Sequence, residues 1–274
     1  MKNQLLLLIT ILFFSCSKNE DEVIQTPTTN SYRLIKTQDT YGTLSYIYNA
    51  DGNLSKINAD GLFTAGTSKE YSYSNKQLIT MGSATNKTTY SYLSNGKIDE
   101  ILEENKVILG NSNKTKYAYD TQGVLYSASY YSKNTLISPW VFSHIAYYTF
   151  SANKIQVNTN AWNNNNEFYY LDTNGNISRV ERMTVGASGT TTYKSREEIN
   201  IYDDKYNTEV VLPYPQEGFG ENIRNKNNLS YKIIKTYDEN GNVLETTVDE
   251  NTYEYNNDGY VTKKNNIIYT LEKY

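Results

Sequence analysis

Few residues of this chain could carry chemistry. It holds one histidine, His144, and one cysteine, Cys16, among 274 residues. A lone histidine excludes a metal site built from several imidazoles and any relay that needs two of them. His144 lies in Trp140-Val141-Phe142-Ser143-His144-Ile145, an aromatic strand-like run in which a structural role is expected. Carboxylates are the remaining candidates. Asp99, Glu100, Glu103 and Glu104 cluster, and Glu197-Glu198 and Asp203-Asp204 form doublets. Two carboxyl groups held across a cleft are what glycoside hydrolysis needs, so a carboxylate-based glycoside hydrolase is the enzymatic alternative. Adjacent residues on a strand point to opposite faces, so solvated surface is the better reading of the doublets. There is no Walker loop, no G-x-G-x-x-G and no EF-hand pattern. No cofactor and no metal are expected, and the chain reads as a binding protein before an enzyme.

Two places could bind a ligand without catalysis. The two tryptophans, Trp140 and Trp162, flank one expected hairpin. If Phe150 pairs with Ile155, both lie away from its turn, toward the same end. Exposed aromatic faces commonly bind sugar rings, and Asn163 to Asn166 add polar groups; packing in a thin core is the plainer reading. The second place is the irregular stretch from Tyr206 to Asn228. It contains Val210-Val211-Leu212-Pro213-Tyr214-Pro215 and Gly218-Phe219-Gly220. Long loops in a compact array are plugs, disordered segments or functional elements. The candidate ligand contacts are therefore Trp140, Trp162, Tyr214 and Phe219.

A repeated phrase must position these groups. Tyr46-Ile47-Tyr48-Asn49-Ala50-Asp51-Gly52-Asn53-Leu54 returns at Tyr90 to Ile98, at Tyr117 to Leu125 and at Tyr253 to Val261. Looser copies end at Ile177 and Val243, and shorter ones lacking the glycine run from Tyr71 to Leu78 and from Tyr148 to Ile155. Alternating tyrosines mark one side of a strand. The Asn/Asp cluster closed by glycine marks a turn, and the aliphatic residue after it opens the return strand. This predicts about nine hairpins and about 16 to 19 strands. The fold expected is all-β: an antiparallel meander, strongly curled or closed into a soluble barrel-like array. Leu54 and Ile57, like Ile98 and Ile101, are three apart, which predicts apolar groups on both faces unless a bulge intervenes. The 28 tyrosines supply much of the buried area, and their hydroxyls seek water or a partner. The net charge of −4 comes with no basic stripe, so nucleic acid is excluded as a partner.

The N-terminus carries an address. Lys2 precedes an apolar run from Leu5 to Phe14, too short to span a membrane as a helix and right for a secretory signal. The chain is thus expected to divide into a signal peptide (1–15), Cys16 with a flexible acidic tether (16–31) and one repeat domain (32–274). Ser15-Cys16 resembles a bacterial lipobox, which makes Cys16 the lipidation site. Ser17-Lys18-Asn19-Glu20-Asp21-Glu22 resembles the surface-export signal of Bacteroidetes lipoproteins. The resemblance implies a lipid-anchored outer-membrane protein at the cell surface, with a periplasm-facing anchor as the alternative.

The phrase itself resembles the YD repeat of Rhs-type proteins. More closely, it resembles Tyr-rich, lipobox-bearing Bacteroidetes proteins of unknown function, some with a porin-like fold. Tyr202-Asp203-Asp204-Lys205-Tyr206-Asn207 and Asn225-Lys226-Asn227-Asn228-Leu229 match the start and finish that many of those lipoproteins place around an apolar loop. The resemblance covers residues 32 to 274 and carries over no functional residues. A membrane-spanning porin is not implied: membrane strands need about 9 to 11 residues with an apolar outward face, and here Asn, Ser and Thr fill the strands. The expected role is a non-enzymatic envelope binding or scaffold protein whose partner is a glycan or another envelope protein. A purely structural envelope component is the remaining alternative.

Overall fold

The structure is a computed structural model that describes residues 32–63, 67–160, 166–186, 189, 191–208 and 225–274. Residues 1–31, which hold the expected signal peptide, Cys16 and the expected tether, lie outside these residues. The strands follow the chain as β1 (Tyr32–Gln38), β2 (Gly42–Tyr48), β3 (Leu54–Gly61), β4 (Lys69–Ser74), β5 (Gln77–Gly82) and β6 (Asn86–Tyr92). Next come β7 (Ile98–Asn105), β8 (Ser112–Tyr119), β9 (Leu125–Lys133), β10 (Val141–Ser151), β11 (Lys154–Thr159) and β12 (Asn166–Leu171). The remainder are β13 (Ile177–Val185), β14 (Thr192–Tyr206), β15 (Asn227–Tyr237), β16 (Val243–Glu250), β17 (Tyr253–Tyr255), β18 (Val261–Lys264) and β19 (Ile267–Lys273). They form one antiparallel sheet of 19 strands, at the upper bound of the sequence expectation, with no α-helix among the described residues.

Each strand from β1 to β15 pairs with the next, β17 pairs with β18 and β18 with β19. β19 returns to β1, with Tyr32 opposite Lys273 and Gln38 opposite Ile268. No ladder joins β17 to β15 or β16 among the described residues, so the sheet is strongly curled but not closed into a barrel. Two apolar clusters fill it. One gathers Leu34, Leu54, Ile57, Leu78, Ile98, Val261 and Tyr269. The other gathers Ala128, Ala146, Tyr148, Ile155, Val157, Tyr169, Ile177 and Val180. Tyr117 packs against both.

The turns follow the phrase. In the first copy the Asn49 side chain accepts the backbone N–H groups of Asp51 and Asn53, and Gly52 N–H reaches Asn49 O. Gly52 takes φ +78°, where a Cβ is strained. The same bonds recur with Asp120, Asp172, Asp238 and Asn256 as the capping residue. The copy from Tyr71 to Leu78 makes a tighter turn, with Asn75 and Lys76 both at positive φ.

A bulge follows the turn in every copy of the phrase except that from Tyr148 to Ile155, where β10 and β11 pair in unbroken register. Tyr46 faces Ile57, Ile47 faces Lys56 and Tyr48 faces Leu54, leaving Ser55 as the extra residue. That extra residue brings Leu54 and Ile57 into the same core, both buried. The expectation of apolar groups on two faces is corrected accordingly: the gap of three is one face plus a bulge. Asp99 and Ser178 are the extra residues of later copies.

The bulge has a partner on the next hairpin. Tyr48 donates its hydroxyl to Leu34 O at 2.7 Å, Tyr73 to Leu54 O at 2.9 Å and Tyr92 to Leu78 O at 2.7 Å. Tyr119 donates to Ile98 O at 2.8 Å, Tyr202 to Ile177 O at 2.9 Å and Tyr253 to Leu229 O at 2.9 Å. In every case the acceptor precedes the bulged residue, beside the point where the ladder is disrupted. Each bond is worth about 0.5–1.5 kcal/mol net. Each is made at the turn end, whereas the loops joining successive hairpins, from the β1–β2 loop to the β13–β14 loop, lie at the opposite end. The tyrosine is therefore a latch between hairpins. It matters most where the ladder is short: β3 and β4 pair only at Lys56–Glu70 and Ile57–Lys69.

Burial raises the hydroxyl pKa of two of these latches, pushing Tyr48 up to about 12 and raising Tyr202 as well. The phenols stay neutral in the folded chain above the pH, about 10, at which an unfolded tyrosine ionises. Their stabilisation is therefore complete below about pH 10 and is lost as the pH rises through about 12. The thermal midpoint is expected to hold from about pH 8 to about pH 10 and to fall steeply beyond; a flat profile up to about pH 12 would contradict this.

Candidate functional site

The stretch between β14 and β15 begins and ends in a polar clamp. Asp203 Oδ1 accepts Lys205 N–H at 3.0 Å and Asn228 N–H at 3.1 Å. The Asn228 amide gives hydrogens to Asp203 Oδ2 at 3.2 Å and to Tyr206 O at 3.1 Å. Asn207 N–H closes on Lys226 O at 2.9 Å, and Asn227 Nδ2 on Lys205 O at 3.1 Å. Asn228 is buried, so these bonds satisfy groups that water cannot reach.

The clamp holds its neighbours on both sides. Toward β13, Asn225 Oδ1 accepts Ile177 N–H at 2.8 Å, and Asn227 exchanges hydrogen bonds with the fully buried Asn176. Asn200 Nδ2 and the Tyr202 hydroxyl both reach Ile177 O. Toward β17 and β18, the Tyr255 hydroxyl donates to Asp203, and the buried Thr208 Oγ1 accepts Val261 N–H at 3.0 Å. Burial first, and the bond to Asp203 second, raise the Tyr255 pKa. β17 shares no ladder with β14 or β15, so side chains carry much of the seam: Tyr255 of β17 to Asp203 of β14, and Tyr253 of β17 and the preceding Asn251 to Leu229 O of β15. One backbone bond, Asn251 N–H to Ser230 O, crosses it. A cavity of about 150 Å³ sits here, lined by Tyr202, Thr208, Asn228, Tyr253, Lys264 and Tyr269 among others.

Of the other carboxylate candidates, Glu100, Glu197, Glu198 and Asp204 are engaged in ion pairs. Glu197 and Glu198 are both buried on β14. Glu197 accepts the Tyr237 hydroxyl at 2.7 Å and pairs with Lys194 at 3.3 Å. Burial works to raise its pKa, but those two bonds outweigh it and hold the carboxyl below its ordinary value. Glu198 meets Arg196 at 2.9 Å, Lys232 at 3.6 Å and Arg182 at 3.9 Å. Glu100 lies between Lys114 and Lys116. Among the described residues, no group of three or more His, Cys, Asp and Glu is placed to hold a metal ion. His144 stacks on Tyr130 at 4.3 Å, and burial lowers its pKa.

Of the sequence-derived ligand contacts, Trp140 is half-buried beside β10. The ammonium groups of Lys114 and Lys133 stand 4.5 and 4.9 Å from its ring centroid. Phe150 does pair with Ile155. Trp162, Tyr214 and Phe219 lie outside the described residues. Sequence reasoning singled out the two ends of the clamp but not Asn176, Asn200, Thr208 or Tyr255. Nothing in the phrase marks Asn176, because Asn53 and Asn242 hold the same position in other copies.

No protein-family model matches the chain, and no curated protein matches it significantly. Among solved structures it is similar to a porin-like protein from Bacteroides vulgatus, at 14% identity and a TM-score of 0.46 over 88% of this chain and 98% of that one. It is also similar to a porin-like protein from Bacteroides uniformis, at 15% identity and a TM-score of 0.43 over 88% and 95%. A third similarity, to a TcdB2-TccC3-Cdc42 structure, has 14% identity and a TM-score of 0.35, and spans 82% of this chain but only 14% of that one.

Asp203→Asn keeps the shape of the clamp but puts an N–H₂ where the acceptor oxygens stood. It is expected to cost about 1–3 kcal/mol in urea unfolding, the penalty for buried donors left unpaired. Asp51→Asn, on an exposed turn, should stay within about 0.5 kcal/mol of the parent. Equal behaviour of the two variants would remove the clamp from the account.

Proposed function

We propose that the protein is an exported envelope lipoprotein, anchored in the outer membrane through Cys16, with a non-enzymatic binding or scaffold role at the cell surface. The observation that carries this is the placing of the chain's one cysteine directly after the basic start and the apolar run Leu5 to Phe14. A thiol used for acylation needs no partner cysteine elsewhere, and a chain with no second cysteine gains no disulfide from export. The repeat domain supports the non-enzymatic part. Its conspicuous polar groups, from Asp203 and Asn228 to Glu197 and Glu198, are bonded to one another or to cations. They hold the array and present it. The partner is a glycan or another envelope protein, with Trp140, Trp162, Tyr214 and Phe219 as candidate contacts.

Expression in a bacterium with radiolabelled palmitate tests the anchor. The parent chain is expected to take up label and to sediment with the outer membrane. Cys16→Ser is expected to lose the label and to be released from the membrane by a high-salt wash that leaves the parent in place. A parent without label, or a Cys16→Ser chain that keeps the label or resists that wash as the parent does, rules the anchor out.

A further inference from the structure

Two loops at the end of the sheet opposite the turns carry an apolar surface that the fold itself leaves uncovered. The β7–β8 loop presents Val107, Ile108 and Leu109, and the β9–β10 loop presents Leu136 and Ile137; all five are exposed, Leu109 at 70% and Ile137 at 96%. Such residues in a loop contribute nothing to the core. The loops are also built to hold them outward. Asn105 Oδ1 accepts the N–H groups of Val107 and Ile108, both at 2.8 Å. Thr135 and Ser138 bond through their hydroxyls, and Ser138 N–H returns to Thr135 Oγ1 at 3.1 Å. The loops meet at Gly110, whose φ is +88° and where a Cβ would run into the backbone nitrogen of Leu136. The glycine thus fuses the two loops into one apolar tip.

We propose that this tip docks on the surface of a lipid bilayer that carries anionic headgroups. A protein partner would be met by a groove or a flat face; a convex tip of aliphatic side chains suits shallow entry into the boundary between headgroups and acyl chains. What lies behind the tip has the chemistry of that boundary. Trp140 sits at the base of the second loop with Lys114 and Lys133 over its ring. Lys114 is largely buried and also faces Glu100 at 4.0 Å, so Lys133 is the ammonium beside the ring that belongs at headgroup depth, where a lysine meets lipid phosphate. The chain also reaches. β1 begins at the turn end and crosses the sheet in about 23 Å, while residues 17–31 can span at most about 50 Å. An anchor at Cys16 and the tip can therefore rest on the same bilayer, although the docking depends on the loops and not on the lipid.

The test uses the chain of residues 16–274 carrying Cys16→Ser, so that neither a leader nor an acyl group contributes. Flotation is measured with vesicles of phosphatidylethanolamine and phosphatidylglycerol, and with phosphatidylcholine alone. The chain is expected to float with the anionic vesicles, less strongly as salt rises, with a blue shift of tryptophan emission. Ile108→Asp combined with Ile137→Asp should lower the partition coefficient at least tenfold without moving the thermal midpoint. Absence of binding to either vesicle overturns the proposal, as does a double variant that binds like the parent. Because this chain has no anchor, failure here leaves the lipidation at Cys16 to its own experiment.

Discussion

The hydrogen bond from a tyrosine hydroxyl to the carbonyl before a bulge is the interaction on which this architecture depends. A meander of hairpins is joined covalently at one end of each neighbouring pair. At the other end, where the turns project, neighbours are free to splay. The apolar clusters pull them together, and each large aliphatic side chain contributes about 1.5–3 kcal/mol of burial, but that attraction has no direction. The latch supplies direction. It ties Tyr48 to Leu34, Tyr73 to Leu54 and Tyr92 to Leu78, one hairpin to the one before. Where the sequence puts Phe150 in the latch position of β10 there is no hydroxyl, and there β9 and β10 pair along a long ladder from Val141–Ser132 to Tyr147–Ser127. Between β9 and β10 the ladder does without a latch; between β13 and β14 both are present.

The same constraint explains the seam. β15 and β17 lie side by side without a ladder, yet Tyr253 still latches to Leu229. The clamp of Asp203, Asn228 and Tyr255 extends that latch into a network. A network of buried polar groups is costly if any member is left unsatisfied and specific if all are bonded. At the one place where the backbone does not close the sheet, side chains set the geometry instead. The polar residues that stand out in the sequence around the β14–β15 connection are accounted for by that role.

Much of this was legible in the residues. The Tyr-x-Tyr phrase, the Asn/Asp cluster and the glycine are local signals, and local signals report turns and strand faces directly. The expected 16 to 19 strands contain the nineteen observed, and the pairing of Phe150 with Ile155 that the sequence reading assumed is present. The spacing of Leu54 and Ile57 was misleading because periodicity cannot tell a change of face from a bulge. The hydroxyl partners were not legible at all. Tyr202 and Ile177, or Tyr255 and Asp203, are far apart in sequence, and only the curl of the sheet brings them together. The apolar tip was not read from the sequence: only the structure places Val107, Ile108 and Leu109 together in an exposed loop.

The claim that the hydroxyl bonds, and not merely the tyrosine rings, hold the hairpins together has one direct test. It is the urea unfolding midpoint of a chain in which Tyr48, Tyr73, Tyr92, Tyr119, Tyr202 and Tyr253 are all replaced by phenylalanine. The rings and their burial are retained and only the hydroxyls are lost. At about 0.5–1.5 kcal/mol per latch, and with well-separated sites adding nearly independently, the chain is predicted to lose on the order of 3–9 kcal/mol. Replacing the exposed Tyr41, Tyr126 and Tyr147 in the same way should leave the midpoint in place. A six-fold variant that unfolds at the parent's midpoint would contradict the account.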